Sequence, residues 1–164
     1  MAIPSSSVPA ARLWLFNSLK AALTPDPGVA SGQGSYGDAN ASLLVCLDAP
    51  GTYQPEDIVA VGKVDRTISI SSMVGSGGAG WLQEHYTIEI TVECARATDD
   101  SQSAFERAAA LIDQTTAVVR TDPTLGGIVL WSRPTRSDLE TVWADDHSHW
   151  VATGTLTVEC NQRI

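Results

Sequence analysis

The side chains best suited to chemistry gather in one short run, Asp145-Asp146-His147-Ser148-His149. On a strand, histidines at i and i+2 share a face and can ligate one metal ion. The flanking pattern instead places the run in a hairpin turn. No cysteine or third histidine stands at ligand spacing, so His147 and His149 read as turn residues rather than metal ligands. His85 lies alone on a polar strand face and reads as solvated. Glu89 and Glu93 are four apart on one strand, about 13 Å at strand rise, which is too far for either glycosidase geometry.

Two glycine-rich stretches fail as phosphate loops. GSGGAG at 75–80 is followed by a strand, and GQGSYG at 32–37 by no helix, whereas a phosphate cradle needs a helix N-terminus after it and usually a lysine. No serine sits in a G-x-S-x-G elbow. Nothing assembles a nucleophile, a base and an oxyanion site. The expectation is therefore no catalysis and no cofactor.

The balance of charge narrows the partners. Nineteen acidic residues against ten basic ones give a formal charge of −9. A protein that grips DNA phosphates needs concentrated Lys and Arg. Here the only lysines are Lys20 and Lys63, and no basic run occurs. Residues 1–164, 43% of them hydrophobic, can build one real core, while halves would bury little. The N-terminus has neither the charged lead nor the apolar run of a signal peptide. No stretch reaches the roughly 20 apolar residues that span a bilayer. Cys46, Cys94 and Cys160 lie in strand-like segments without metal spacing. They read as buried free thiols of a protein made in a reducing cytoplasm.

The elements expected to position these residues begin with a helix from Val8 to Leu23, after a loose 1–7. Flexible Gly/Ser-rich loops are expected at 29–42 and 71–80. Strands are expected at Leu43–Leu47 and Ile58–Ser71, the second with Ile58, Ala60, Val64, Ile68 and Ile70 on one parity. Trp81–Arg96 alternates cleanly, Leu82, Tyr86, Ile88, Ile90, Val92 and Cys94 pointing one way. A second helix opens on Asp99, Asp100 and Ser101 as cap candidates. It buries Phe105, Ala108, Ala109, Ile112, Thr116 and Val119, and stops near Arg120. Ile128–Trp131 opens a strand that RPTRSD interrupts, Leu139–Ala144 continues it, and Trp150–Cys160 closes the chain. The order α-β-β-β-α-β-β predicts an α+β fold, a mostly antiparallel sheet with two helices packed on one face.

Thr-Val-Glu-Cys occurs twice, at 91–94 and 157–160. If both strands share a sheet, Thr87, Glu89, Thr91, Glu93, Thr153, Thr155, Thr157 and Glu159 form one polar face. Simple solvation accounts for such a face as readily as a function does. Among five tryptophans, Trp81 beside a flexible loop and Trp14 on the flank of the first helix are candidates for an interface.

With LWLFNSLKAAL, then HYTIEITVECAR, then DDSQSAFERAAALIDQTTAVVR, then WVATGTLTVECNQR, the chain resembles, over essentially its whole length, the tail terminator (tail-completion) proteins of long-tailed bacteriophages. The likeness lies in element order and texture rather than in a diagnostic motif. It implies a hexameric ring at the head-proximal end of the tail tube, in contact with the tube protein and the head-tail connector. DNA would pass through that ring without specific binding, the site would be the virion tail or neck, and no catalytic residues carry over. On that reading Glu89, Glu93 and Glu159 face the lumen. A head-side completion protein, or a small ligand-binding or metal-dependent domain using the His147–His149 turn, are the other readings.

Overall fold

A computed structural model describes residues 5–24, 42–52, 54–72, 81–96, 101–145 and 148–163. Helix α1 spans Val8–Ala22, strands β1, β2 and β3 span Leu43–Leu47, Asp57–Ser72 and Trp81–Arg96, helix α2 spans Ser101–Thr121, and β4 and β5 span Trp131–Trp143 and Trp150–Arg163. The order is α-β-β-β-α-β-β and the fold is α+β. The strands form one sheet in the order β1-β2-β3-β5-β4. Only β1 and β2 run parallel, Leu43 opposite Asp57 through Leu47 opposite Val61. The other pairs are antiparallel.

Both helices lie on one face because their apolar stripes need cover. Ala11, Leu15 and Leu19 recur every four residues on α1 and are fully buried. They join Val59 and Val61 of β2, Ile88, Ile90 and Val92 of β3, and Ala152, Leu156 and Val158 of β5 in one core. On α2 the buried set is Ala104, Ala108, Leu111, Ile112, Thr115 and Val119. The expected stripe through Phe105, Ala109 and Thr116 is therefore turned by about one position, and Phe105 is exposed. Ala104 and Ala108 present only methyl groups, which lets α2 approach the sheet closely.

Several boundaries differ for physical reasons. β2 carries an extra residue between Val61 and Val64 against Ile90 and Ile88 of β3, a bulge that reverses the strand's parity. Ile58 and Ala60 consequently face away from the helices, while Val64, Ile68 and Ile70 return to the helix side. Ile128–Leu130 belong to a turn, and β4 starts at Trp131. RPTRSD does not break it; a bulge between Pro134 and Arg136 absorbs the irregularity. Ser6 and Ser7, expected to be loose, are bound to Glu84. Ser42 is buried and Ser71–Ser72 end β2. The rest of both expected flexible loops (29–41 and 73–80) lies outside the described residues, as do 1–4, Asp99 and Asp100.

The turn after α2 is built on Asp122, whose carboxylate accepts from the backbone N–H groups of Thr124 and Gly126. The Thr124 hydroxyl, together with these bonds, holds its pKa low. Gly126 takes φ +70°, and a Cβ there would stand 2.8 Å from Trp14 Nε1. Gly126→Ala is accordingly expected to cost about 1–3 kcal/mol, from the left-handed backbone and the steric clash together. Urea unfolding measures the loss, and Trp14→Phe in the same background should recover only the steric part.

Candidate functional site

The sheet face away from the helices is the candidate site. Across β3 and β5 the register sets Thr87 opposite Glu159, Glu89 opposite Thr157, Thr91 opposite Thr155 and Glu93 opposite Thr153. The two Thr-Val-Glu-Cys segments thus fall on adjacent strands with their Thr/Glu positions on one face. Strand β4 widens it, Arg133 opposite Glu159, Arg136 opposite Thr157, Asp138 opposite Thr155 and Glu140 opposite Thr153. Their partners of the other parity, Ile88, Ile90, Val92, Leu156 and Val158, are buried under the helices.

Charge on this face is not uniform. Glu159 is clasped by Arg133 Nε and His85 Nε2, each at 2.7 Å. The Arg133 bond is the main cause of a pKa held below the ordinary carboxylate value, with His85 adding to it against partial burial. Arg133 also lies over the Trp131 ring, 5.0 Å from its centroid. Glu89 and Glu93 meet no cation among the described residues. The face therefore has a paired end around His85, Glu159 and Arg133 and an acidic end around Glu93 and Glu140, while Glu89 lies between them in the row of Thr157 and Arg136, whose guanidinium is 3.0 Å from Asp138. Glu159, expected to share the acidic row, belongs to the paired end with its charge offset. The pairing could not be read from spacing, because Arg133 reaches Glu159 only through the β4–β5 register.

At the acidic end, Asp48, Ala49, Pro50 and Gln54 stand beside Ile58, Ala60, Thr91, Glu93, Thr153 and Thr155. They enclose an open cleft of about 330 Å³. Arg12 of α1 holds Asp48, donating to its carboxylate at 2.6 Å and to the Val61 carbonyl at 3.1 Å. Among the described residues the cleft offers the threonine hydroxyls and the carboxylates of Asp48 and Glu93. Cys94 and Cys160 sit on the opposite face. Burial pushes both thiols up, Cys160 to about 12, so they stay protonated. Cys46 is half-buried and raised as well, by burial and then by Asp48.

The other candidates disperse. His149 contacts Ser148 Oγ at 2.6 Å, while Asp146 and His147 lie outside the described residues. No group of three potential metal ligands occurs among the described residues. Trp14 is half-buried and packs on the core. Trp81 opens β3 opposite Ser72, and its side chain lies outside the described residues. No described helix is long and apolar enough to cross a membrane.

Two carboxylates of a different kind carry no signal of function in the sequence. Asp57 and Glu84 are both fully buried on the helix side. Asp57 Oδ1 receives Arg96 at 2.7 Å and its Oδ2 receives Arg107 at 2.7 Å. Glu84 accepts from the Ser7 backbone N–H and hydroxyl, from the Ser6 hydroxyl and from Arg66. Both are structural locks. The one hint for Glu84 is its place on the inward parity of β3, between Leu82 and Tyr86.

No protein-family model matches the chain, and no curated protein matches it.

Proposed function

We propose that this protein is a structural part of a phage virion, a hexameric ring at the head-proximal end of a tail tube that ends tube growth and joins the tail to the head connector. The observation that supports the reading is the Thr/Glu face of β3 and β5, which neither helix covers. A channel for DNA needs a wall that is wetted, rigid and repulsive to phosphate. A pleated sheet backed by two helices is rigid, its threonines are wetted, and Glu89 and Glu93 are unneutralised by any described cation. The role is geometric, without catalysis or cofactor, and DNA passes without specific contacts. The partners are further copies of the chain, the tube protein and the connector proteins.

Electron microscopy of the purified chain mixed with tail tubes tests this. Six-fold rings capping the tubes are the expected result, and a monomer indifferent to tubes sinks the proposal. Copurification with a portal complex instead of tubes would move the ring to the head side. Within the ring, Glu89→Lys with Glu93→Lys should slow DNA passage or leave DNA held in the tail, lowering infectivity by roughly tenfold or more. The defect should weaken as salt shortens the screening length. Glu159 is a poor choice for this test, since its loss would instead release Arg133. Unchanged ejection by the double variant would remove Glu89 and Glu93 from the channel wall.

A further inference from the structure

We infer that the upper half of β2 is a pairing edge for a second copy of this chain, joined antiparallel about a two-fold axis at Ser69. β1 pairs only with Asp57–Val61, so from Gly62 onward β2 has no neighbour on that side among the described residues. Every residue from Asp65 to Ile70 is exposed, with Ile68 47% and Ile70 62% accessible. A free edge presents a row of unpaired N–H and C=O groups, a template for another strand.

The two long edges of this sheet differ over one short run. On β4 the outer edge carries Pro134, a bulge at Thr135 and the charges of Arg133, Arg136, Asp138 and Glu140, the devices that ordinarily discourage edge pairing. On β2 the charges Lys63, Asp65 and Arg66 and the register shifts at Val61–Val64 and Ile70–Ser72 flank Thr67-Ile68-Ser69-Ile70, which itself has no charge and no proline. This uncharged run, without a strand neighbour among the described residues, is suited to a partner.

The strand itself names that partner. In antiparallel register about Ser69, Ile68 of each copy stands opposite Ile70 of the other, and Ser69 opposite Ser69. Four isoleucines then meet on the helix side of the joint, and no like charges are placed opposite one another. Centring on Asp65 or Arg66 would set identical charges face to face, which disfavours those registers. A two-fold contact of this kind uses one patch on both copies. The seam is short, so the pairing should be weak and concentration-dependent. It extends the Thr/Glu face across both copies, and it stands apart from the proposed ring, which microscopy on tubes scores separately.

Sedimentation equilibrium of the intact chain over low to high micromolar concentrations tests the contact. The expected result is a reversible monomer–dimer equilibrium. Ile68→Lys with Ile70→Lys should weaken it by roughly tenfold or more, since charge on an edge blocks pairing. Ser69→Cys gives a second reading that does not depend on the lysine variants folding. Directly opposed Cβ atoms lie within disulfide reach, so mild oxidation should yield a covalent dimer. Thr67→Cys should not, its two copies being about 13 Å apart along the strands. A chain that stays monomeric throughout, or a dimer indifferent to both lysines, overturns the inference. Larger assemblies in which the Ser69→Cys variant fails to cross-link to itself overturn the two-fold register.

Discussion

Asp57→Ala should destabilise this protein by about 3–5 kcal/mol, the cost of leaving a buried ion pair without one partner. Asp57 has no exposed surface, and Arg96 is only 8% accessible. Its carboxylate occupies both guanidiniums at once, and Arg107 extends the lock by donating to the Thr24 carbonyl at 2.7 Å, just beyond α1. One side chain thus joins β2, β3, α2 and the exit of α1. Removing it takes the shared carboxylate away from two nearly buried guanidiniums. For a domain of this size the melting temperature should fall by roughly 6–20 °C, and calorimetry reads it. A fall of less than about 1 kcal/mol would mean that the guanidiniums reach water and the lock is superficial. Replacing all three members together, Asp57→Leu with Arg96→Met and Arg107→Met, should recover most of the loss. Desolvating charges offsets much of their attraction, and an apolar cluster of similar volume does as well.

What can be read from the sequence follows from how local the governing physics is. Strand β3 is legible end to end, because strict alternation from Leu82 to Cys94 requires only a covered face and a wet face. The Thr/Glu face is legible too, since a repeated tetrapeptide on two strands of one sheet must present the same side chains. What fails depends on partners. The single parity expected for Ile58–Ile70 does not hold, because the Val61–Val64 bulge is defined only against β3. The stripe on α2 is turned because closeness to the sheet favours Ala104 over the bulkier Phe105. The parallel pairing of β1 is illegible, as nine residues without a helix are shorter than the usual crossover between parallel neighbours. Asp57 and Glu84 escape notice for the same reason. A buried acid is tolerable only with cations or helix N–H groups beside it, and those partners come from elements far away in the chain.

Glu84 carries the second large effect, and it is pH-dependent. Helix α1 has no acidic residue in its first turn, and its N-cap Ser7 makes no side-chain cap bond. The Ser7 hydroxyl is instead shared between Glu84 Oε2 at 2.8 Å and the Tyr86 hydroxyl at 3.0 Å, while the Ser7 N–H donates to the same Oε2 at 3.0 Å. β3 thus supplies the negative charge that the positive end of α1 attracts. Burial alone would raise the Glu84 pKa, but the bonds from Ser6 and Ser7 and the charge of Arg66 outweigh it and hold the pKa below the ordinary value. A carboxylate depressed in the folded state contributes its stability fully above the unfolded value of about 4.3. That contribution is lost as pH falls through the lower folded value. Glu84→Ala should therefore cost about 2–4 kcal/mol at neutral pH, combining lost charged hydrogen bonds with a small cavity. Glu84→Gln keeps the volume, so it separates the two causes: its deficit should be present at pH 7 and shrink as the wild type is titrated toward pH 3. Hydrogen exchange locates the damage, because the first-turn amides of α1 should exchange faster in both variants while those of α2 do not. A deficit for Glu84→Gln that stays constant across that range would show that the side chain acts by shape rather than by charge. α1 would then be held by its Leu15 and Leu19 stripe alone.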